Sequence, residues 1–487
     1  MLFNSLQFLV FFPVVTLLYF ALPQKYRNLM LLVASTIFYM AFVPAYIFIL
    51  ASLIAIDFTC GILIENSPAQ KKRRYLILSI AATSLMLFVF KYFNFFVNNV
   101  SFAAHLFHID SSPPFLNILL PLGLSFHTFQ SLSYIIEVYR GNQKAERNLL
   151  IYALYVMFYP QLVAGPIERP QNLLKQFYEK HTIDYERITN GLKLMTYGLF
   201  KKVVVADRLA AFVDKAYLSP QQYAGVPMII ATVFFGVQIY CDFSGYTDIA
   251  RGSAEVMGFR LKHNFRQPYL AESISDFWKR WHISLTSWFK DYVYVPLGGS
   301  KVSDIRHYFN VFLVFLVSGL WHGANWNFVA WGALNAFYYI FASLTINFRK
   351  KIVNLSGIYK AEFFYRLIRV LTTFSLITFS WIFFRAKNIS EAFLIIRGLF
   401  VNIQNIADSS YLTSVISKIG FSVTNVVIAV LSIVFVTGVD ILQKHYDIRE
   451  LFSKRKLVLR WSVYYAAVVS IVFLGVFTKR HFIYFSF

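Results

Sequence analysis

His322, His282 and Tyr484 are the side chains of this 487-residue chain whose types and positions can do acid–base or nucleophilic chemistry. His322 sits in SGLWHGANW between the apolar runs 308–320 and 325–345. That places it near membrane depth, where an ionisable side chain is costly and is a functional candidate by default. Its reference pKa is about 6.5, and desolvation favours the neutral imidazole, a ready general base. A structural histidine bonded to a backbone carbonyl at a helix break beside Gly323 is the bland alternative. Asn325, three residues on, faces the same side if the turn is helical and can then donate to a developing oxyanion, or cap and pack. His282 lies in DFWKRWHISLTSWF, where helical spacing predicts Trp278, His282, Leu285 and Phe289 on one face. Read structurally, this is an interfacial amphipathic helix with its tryptophans at headgroup level. Lys279, Arg280 and Lys290 form a basic rim that can attract the phosphates of an anionic cofactor.

The tail FIYFSF ends the chain with Phe482, Tyr484 and Phe487. It reads either as an interfacial aromatic anchor or as a phenol presented as a nucleophile. Asp242, Asp248 and Arg251, in CDFSGYTDIARG, are expected to form a structural ion pair, with Arg251 or Arg266 as the base. The glycine turn in YVPLGGS lacks a phosphate-loop pattern. The remaining histidines show no ligand spacing, so no metal site is expected. Cys60 and Cys241 sit in apolar context and support neither a disulfide framework nor a cysteine metal site.

These residues are embedded in a chain that is 57% hydrophobic and 14% charged, with mean hydropathy +0.55. That composition predicts an all-α, polytopic membrane protein. The 46 Lys and Arg against 24 Asp and Glu fall in short clusters between apolar runs. This is the positive-inside pattern rather than a nucleic-acid face, and no nucleic-acid partner is expected. Runs near 6–22, 28–42, 45–63, 75–96 and 116–138 are long enough, or nearly so, to cross about 30 Å of hydrocarbon. The first lacks a basic leader and a small-residue cleavage site, so it is read as a span rather than a signal peptide. Between 149 and 349 the runs are short and broken by charged, Pro-containing pieces, as in re-entrant or interfacial helices. Further spans are expected near 366–384, 423–442 and 461–478. Basic flanks place both termini outside, and run length suggests roughly ten to twelve crossings. The chain reads as one transmembrane domain over 1–487, with residues 238–326 as its active-site core and 479–487 as an extracytoplasmic tail.

Six stretches together carry a family resemblance: MLFNS, PLGLSFHTFQSLSYIIEVYRG (121–141), FYPQLVAGPIERP (158–170), CDFSGYTDIARG, DFWKRWHISLTSWFKDYVYVPLGGS and SGLWHGANWNFVAWG. With them the chain resembles the membrane-bound O-acyltransferases (MBOAT), in the bacterial branch of alginate and peptidoglycan O-acetyltransferases. One departure is His127, where an aromatic is expected; it is read as packing. The resemblance implies helices around a central funnel in the bacterial cytoplasmic membrane. The family's catalytic histidine falls on His322 and its second histidine on His282. It further implies acyl transfer from an inner-side thioester, acetyl-CoA, to an outer-side acceptor. The tail is similar to an FxYxxF motif linked in this branch to acyl relay by the tyrosine, here Tyr484 flanked by Phe482 and Phe487. The implied partner is an extracytoplasmic SGNH-type transferase acting on a surface polysaccharide or peptidoglycan.

A free phenolate is too costly for such a relay, at about 5 kcal/mol for a phenol of pKa about 10 facing a base near 6.5. Proton removal must accompany attack. Two other functions fit the same residues: D-alanyl transfer to teichoic acid from a carrier-protein thioester, and a glycan or lipid transporter lined by polar groups at depth. Transporters often show two related halves, and none is visible here.

Overall fold

Apolar runs interrupted by short basic clusters can satisfy their backbone in a bilayer only as helices, and the computed structural model is helical throughout. It describes residues 1–109, 115–118, 120–163, 165–402, 404, 408–420, 422–477 and 482–483, and no strand occurs among them. The chain divides into two compact units, one of residues 1–195 and 246–262, the other of 196–245 and 263–487.

In the first unit, helices Ile47–Asn66, Ala69–Leu87 and Leu124–Tyr139 pack on one another, and Gln24–Met40 packs on Leu149–Met157. Ser5 and Asn148 cap the helices that follow them with side-chain oxygens. Asp57, buried in the Ile47–Asn66 helix, accepts from the Ser79 hydroxyl at 2.5 Å. The stretch 158–170 is pinned by Glu168, which accepts from the Lys262 amide and the Asn172 carboxamide, both at 2.6 Å. His127 is buried, edge-on to Tyr39 at 6.0 Å. Asp248 pairs with Arg251 at 3.5 Å, as expected.

Six helices among the described residues are long and apolar enough to cross a membrane, or seven if the pair Trp326–Leu344 and Ile346–Ser356, bent by 60°, counts as one span. Run length alone suggested ten to twelve crossings. The difference arises where runs fold as shorter helices, such as Leu6–Ala21 and Leu124–Tyr139, each of 16 residues.

The second unit holds the candidate site. Its helix Asp304–His322 turns back into Trp326–Leu344, and the two pack closely along their length. A Cβ at Gly319 would lie 2.3 Å from the Phe328 carbonyl oxygen, and one at Gly332 would lie 2.4 Å from that of Phe315. Only glycine lets the two backbones approach so closely. The helix Glu362–Arg385 packs against Trp326–Leu344, while Leu457–Leu474 packs against a π-helical turn, Phe200–Ala206.

Candidate active site

His322 is the last residue of its helix, and the hairpin that follows holds it among aromatic rings. The ring centroids of Trp321, Phe384 and Trp331 lie 4.9, 5.1 and 5.2 Å from that of the imidazole. Asn327 fixes the start of the next helix against the end of the helix carrying Phe384. Its carboxamide donates to the carbonyls of Phe383 at 3.1 Å and Ala386 at 2.7 Å. The surroundings of His322 are therefore set by three helix ends tied together at one point.

His282 does not continue a helix. Its helix ends at Arg280, Trp281 is extended, and His282 adopts a left-handed backbone with φ 44° and ψ 53° before a new helix, Ile283–Phe289, begins. Histidine is among the few non-glycine residues enriched there, and such a conformation persists only when its surroundings enforce it. Asn264 does so: its carbonyl accepts from the Ile283 amide at 2.9 Å and its side-chain oxygen from the Ser284 amide at 3.2 Å. The expected single amphipathic face is thus corrected to a break. The interfacial placement of the tryptophans is corrected too, since Trp281 and Trp288 are both buried. Trp281 packs on Trp381 at 5.0 Å, which stacks on Trp331 at 5.8 Å and 17°.

The break turns His282 inward, edge-on to Phe243 at 4.7 Å and to Trp321 at 6.2 Å. Trp321 therefore stands beside both imidazoles. Burial pulls the His282 pKa down to about 3, so it is neutral across the physiological range.

The basic rim is less uniform than the sequence suggests. Arg280 is committed to Asp276 at 2.8 Å, while Lys279 and Lys290 are exposed. Asn325 precedes the Trp326 helix as its N-cap residue, and its carboxamide donates to the Lys387 carbonyl at 3.1 Å. Of the tail, Phe482 and Ile483 are described and both are buried; Tyr484 and Phe487 lie outside the described residues.

Three residues that spacing did not single out complete the arrangement. Lys202 and Asp207 sit in GLFKKVVVADR, and Lys202 reaches Asp242 at 2.7 Å and Asp207 at 3.0 Å. The expected partner of Asp242 was Arg251 or Arg266, and the correction is Lys202. The segment is enclosed on all sides, every residue from Lys201 to Ala206 being buried, so Lys202 must find its partners inside the protein. Burial alone lowers the Lys202 pKa, and the Asp242 and Asp207 carboxylates more than reverse it, leaving it raised. The other oxygen of Asp242 accepts from the Ile483 amide at 2.9 Å. The third residue, Phe243, carries the Phe482 ring at 5.5 Å. A lysine and an aspartate inside an apolar run were the available signal, since buried charges must be paired.

The chain matches the membrane-bound O-acyltransferase family over residues 142–359, which include both site histidines. It is 37% identical over 407 residues to a probable alginate O-acetylase, AlgI, of Pseudomonas aeruginosa, covering 82% of this chain and 75% of that one. It is 33% identical over 435 residues to a peptidoglycan O-acetyltransferase of Helicobacter pylori, covering 82% and 80%. A teichoic acid D-alanyltransferase of Bacillus subtilis is 26% identical over 242 residues, covering 47% and 60%. The chain belongs to the membrane-bound O-acyltransferase family. It is accordingly an O-acyltransferase and a multi-pass, all-α membrane protein.

Proposed function

We propose that this protein O-acetylates a cell-surface polysaccharide or peptidoglycan by carrying acetyl groups across the bacterial cytoplasmic membrane, with acetyl-CoA as donor and Tyr484 as relay. His322 takes the proton from the Tyr484 hydroxyl as its oxygen attacks the thioester carbonyl. The C–S bond breaks, an ester C–O bond forms, and His322 returns the proton to the departing thiolate. An extracytoplasmic SGNH-type partner then moves the acetyl from tyrosine to a polymer hydroxyl, restoring the phenol. Both termini face outwards, so the loaded tail is presented to that partner.

One observation carries this proposal: Phe482 and Ile483, immediately before Tyr484, are held on Phe243 and Asp242 in the unit that holds His282 and His322. A surface anchor has no need of a buried carboxylate to seat its backbone. The alginate and peptidoglycan relatives favour acetyl over D-alanyl as the cargo, since they match more of the chain at higher identity. A glycan or lipid transporter makes no use of a thioester donor, and the family is one of acyl transfer.

The test is mass spectrometry of the carboxyl-terminal peptide after incubating purified protein with acetyl-CoA. An acetyl adduct on Tyr484 in wild type, absent in His322→Ala and Tyr484→Phe, is expected. Wild-type protein without an adduct under ester-preserving quench, or an undiminished adduct in His322→Ala, overturns it. Labelling by a D-alanyl carrier-protein thioester, and not by acetyl-CoA, selects the teichoic acid reading instead.

A further inference from the structure

Residues 242 and 243 are neighbours on one helix, and each takes a different part of the tail. Asp242 Oδ2 accepts from the Ile483 amide at 2.9 Å, while the Phe243 ring meets that of Phe482 at 5.5 Å. A carboxylate on a backbone amide is a charge-assisted hydrogen bond, stronger than a neutral one. Lys202 reaches the other oxygen of Asp242, Oδ1, at 2.7 Å, and Asp207 at 3.0 Å. All three charged side chains are buried. Burying two carboxylates and an ammonium is costly, and replacing such a set by apolar side chains often costs nothing or gains stability. Stability alone does not explain why the cluster is there, whereas a buried backbone amide 241 residues further along the chain needs an acceptor, and Asp242 supplies it.

We propose that Asp242, paired with Lys202, is a positioning residue that seats the carboxyl tail at Ile483, the residue before Tyr484. The consequence for the reaction rests on the relay proposed above; the seating itself does not. Asp242 touches neither donor nor acceptor in this scheme. It acts through the tail, and Phe243, which touches both Phe482 and His282, ties the seat to the second histidine.

The test separates seating from chemistry. Purified full-length protein in detergent is digested with a carboxypeptidase, and release of residues from Phe487 inwards is timed. Asp242→Ala is expected to expose the tail and speed trimming past Ile483 by about tenfold, the worth of one charge-assisted hydrogen bond. Asp242→Asn keeps a carbonyl acceptor and is expected to fall between. Ile483→Pro deletes the amide donor without altering the cluster and, timed on the release of Phe487 to Phe485 because carboxypeptidases stall at proline, is expected to behave as Asp242→Ala, whereas Ile483→Val keeps the donor and should match wild type. The proline variant keeps the proposal testable where Asp242→Ala fails to fold.

In acetyl-CoA turnover expressed per folded protein, with the folded fraction measured by size-exclusion chromatography because misfolding also lowers apparent kcat at constant KM, the variants that lose the seat are expected to lower kcat with KM for acetyl-CoA unchanged. Wild-type trimming rates in folded Asp242→Ala and Ile483→Pro overturn the seating. Fast trimming together with undiminished acetyl transfer leaves the seat standing and sinks the tyrosine relay instead.

Discussion

The Phe482 ring lies against that of Phe243, centroids 5.5 Å apart and planes inclined at 57°, and Phe243 also meets the His282 imidazole edge-on. Truncating a buried phenylalanine typically costs about 3–5 kcal/mol. Phe482→Ala should therefore cut the seated fraction of the tail and lower the rate of Tyr484 acetylation at least about tenfold, while Phe482→Leu retains part of it. Quantifying the tail adduct against time checks this. Equal rates in wild type and alanine variant would strip the ring pair of any role.

Asn264 holds the break that turns His282 inward. Asn264→Ala leaves the Ser284 amide, at the start of the helix Ile283–Phe289, without its side-chain acceptor and should cost about 0.5–2 kcal/mol, with Asn264→Asp much milder. Thermal unfolding in detergent measures the cost. Activity should fall further than the melting temperature alone explains, because the conformation at His282 is what the cap enforces.

His282 gives a pH signature of defined sign. Its pKa is depressed to about 3 in the folded protein against about 6.5 in an unfolded chain, so the unfolded state binds more protons between those values. The contribution of neutral His282 to stability is complete above about pH 6.5 and is lost progressively as pH falls towards 3. Melting curves at pH 7.5 and 5.0 should show a smaller acid loss in His282→Gln than in wild type. The pH–rate profile near neutrality should not titrate with this residue.

The close helix hairpin at His322 makes a steric prediction. Gly319→Ala and Gly332→Ala each place a methyl within 2.4 Å of a backbone carbonyl oxygen and should destabilise by about 1–3 kcal/mol while displacing His322. Gly438, whose added methyl meets nothing within 4 Å, is the control and should tolerate alanine. Melting temperature and acetyl transfer read both effects.

Lys202→Met removes one partner of a buried cluster and leaves two carboxylates close together. Breaking a buried pair in this way costs about 3–5 kcal/mol. Lys202→Met with Asp207→Leu and Asp242→Leu should recover much of that stability without recovering the tail seat, as melting and carboxypeptidase trimming together would show.

The helical, membrane-embedded character of the chain was legible because composition and run length are properties of the sequence alone. The two histidines were legible as types and places, one between apolar runs and one in an aromatic stripe. What hid was the geometry between them. Nothing in WHISLTS breaks the helical period; the break at His282 comes from Asn264, eighteen residues earlier, which only tertiary structure brings to the Ser284 amide. Lys202 hid for a related reason: every residue from Lys201 to Ala206 is buried, and nothing in KKVVVA tells that the whole circumference of this segment is enclosed. The partner of Asp242 was therefore sought among arginines close by in sequence, when the nearer cation in space stood forty residues upstream.

Trp321 lies 6.2 Å from one imidazole and 4.9 Å from the other. An indole is fluorescent, and a protonated imidazole at that range withdraws its excited-state electron while a neutral one does so far less. With His282 neutral throughout, a variant keeping Trp321 as the sole tryptophan would make the protein its own optical indicator of the proton that the proposed relay passes through His322.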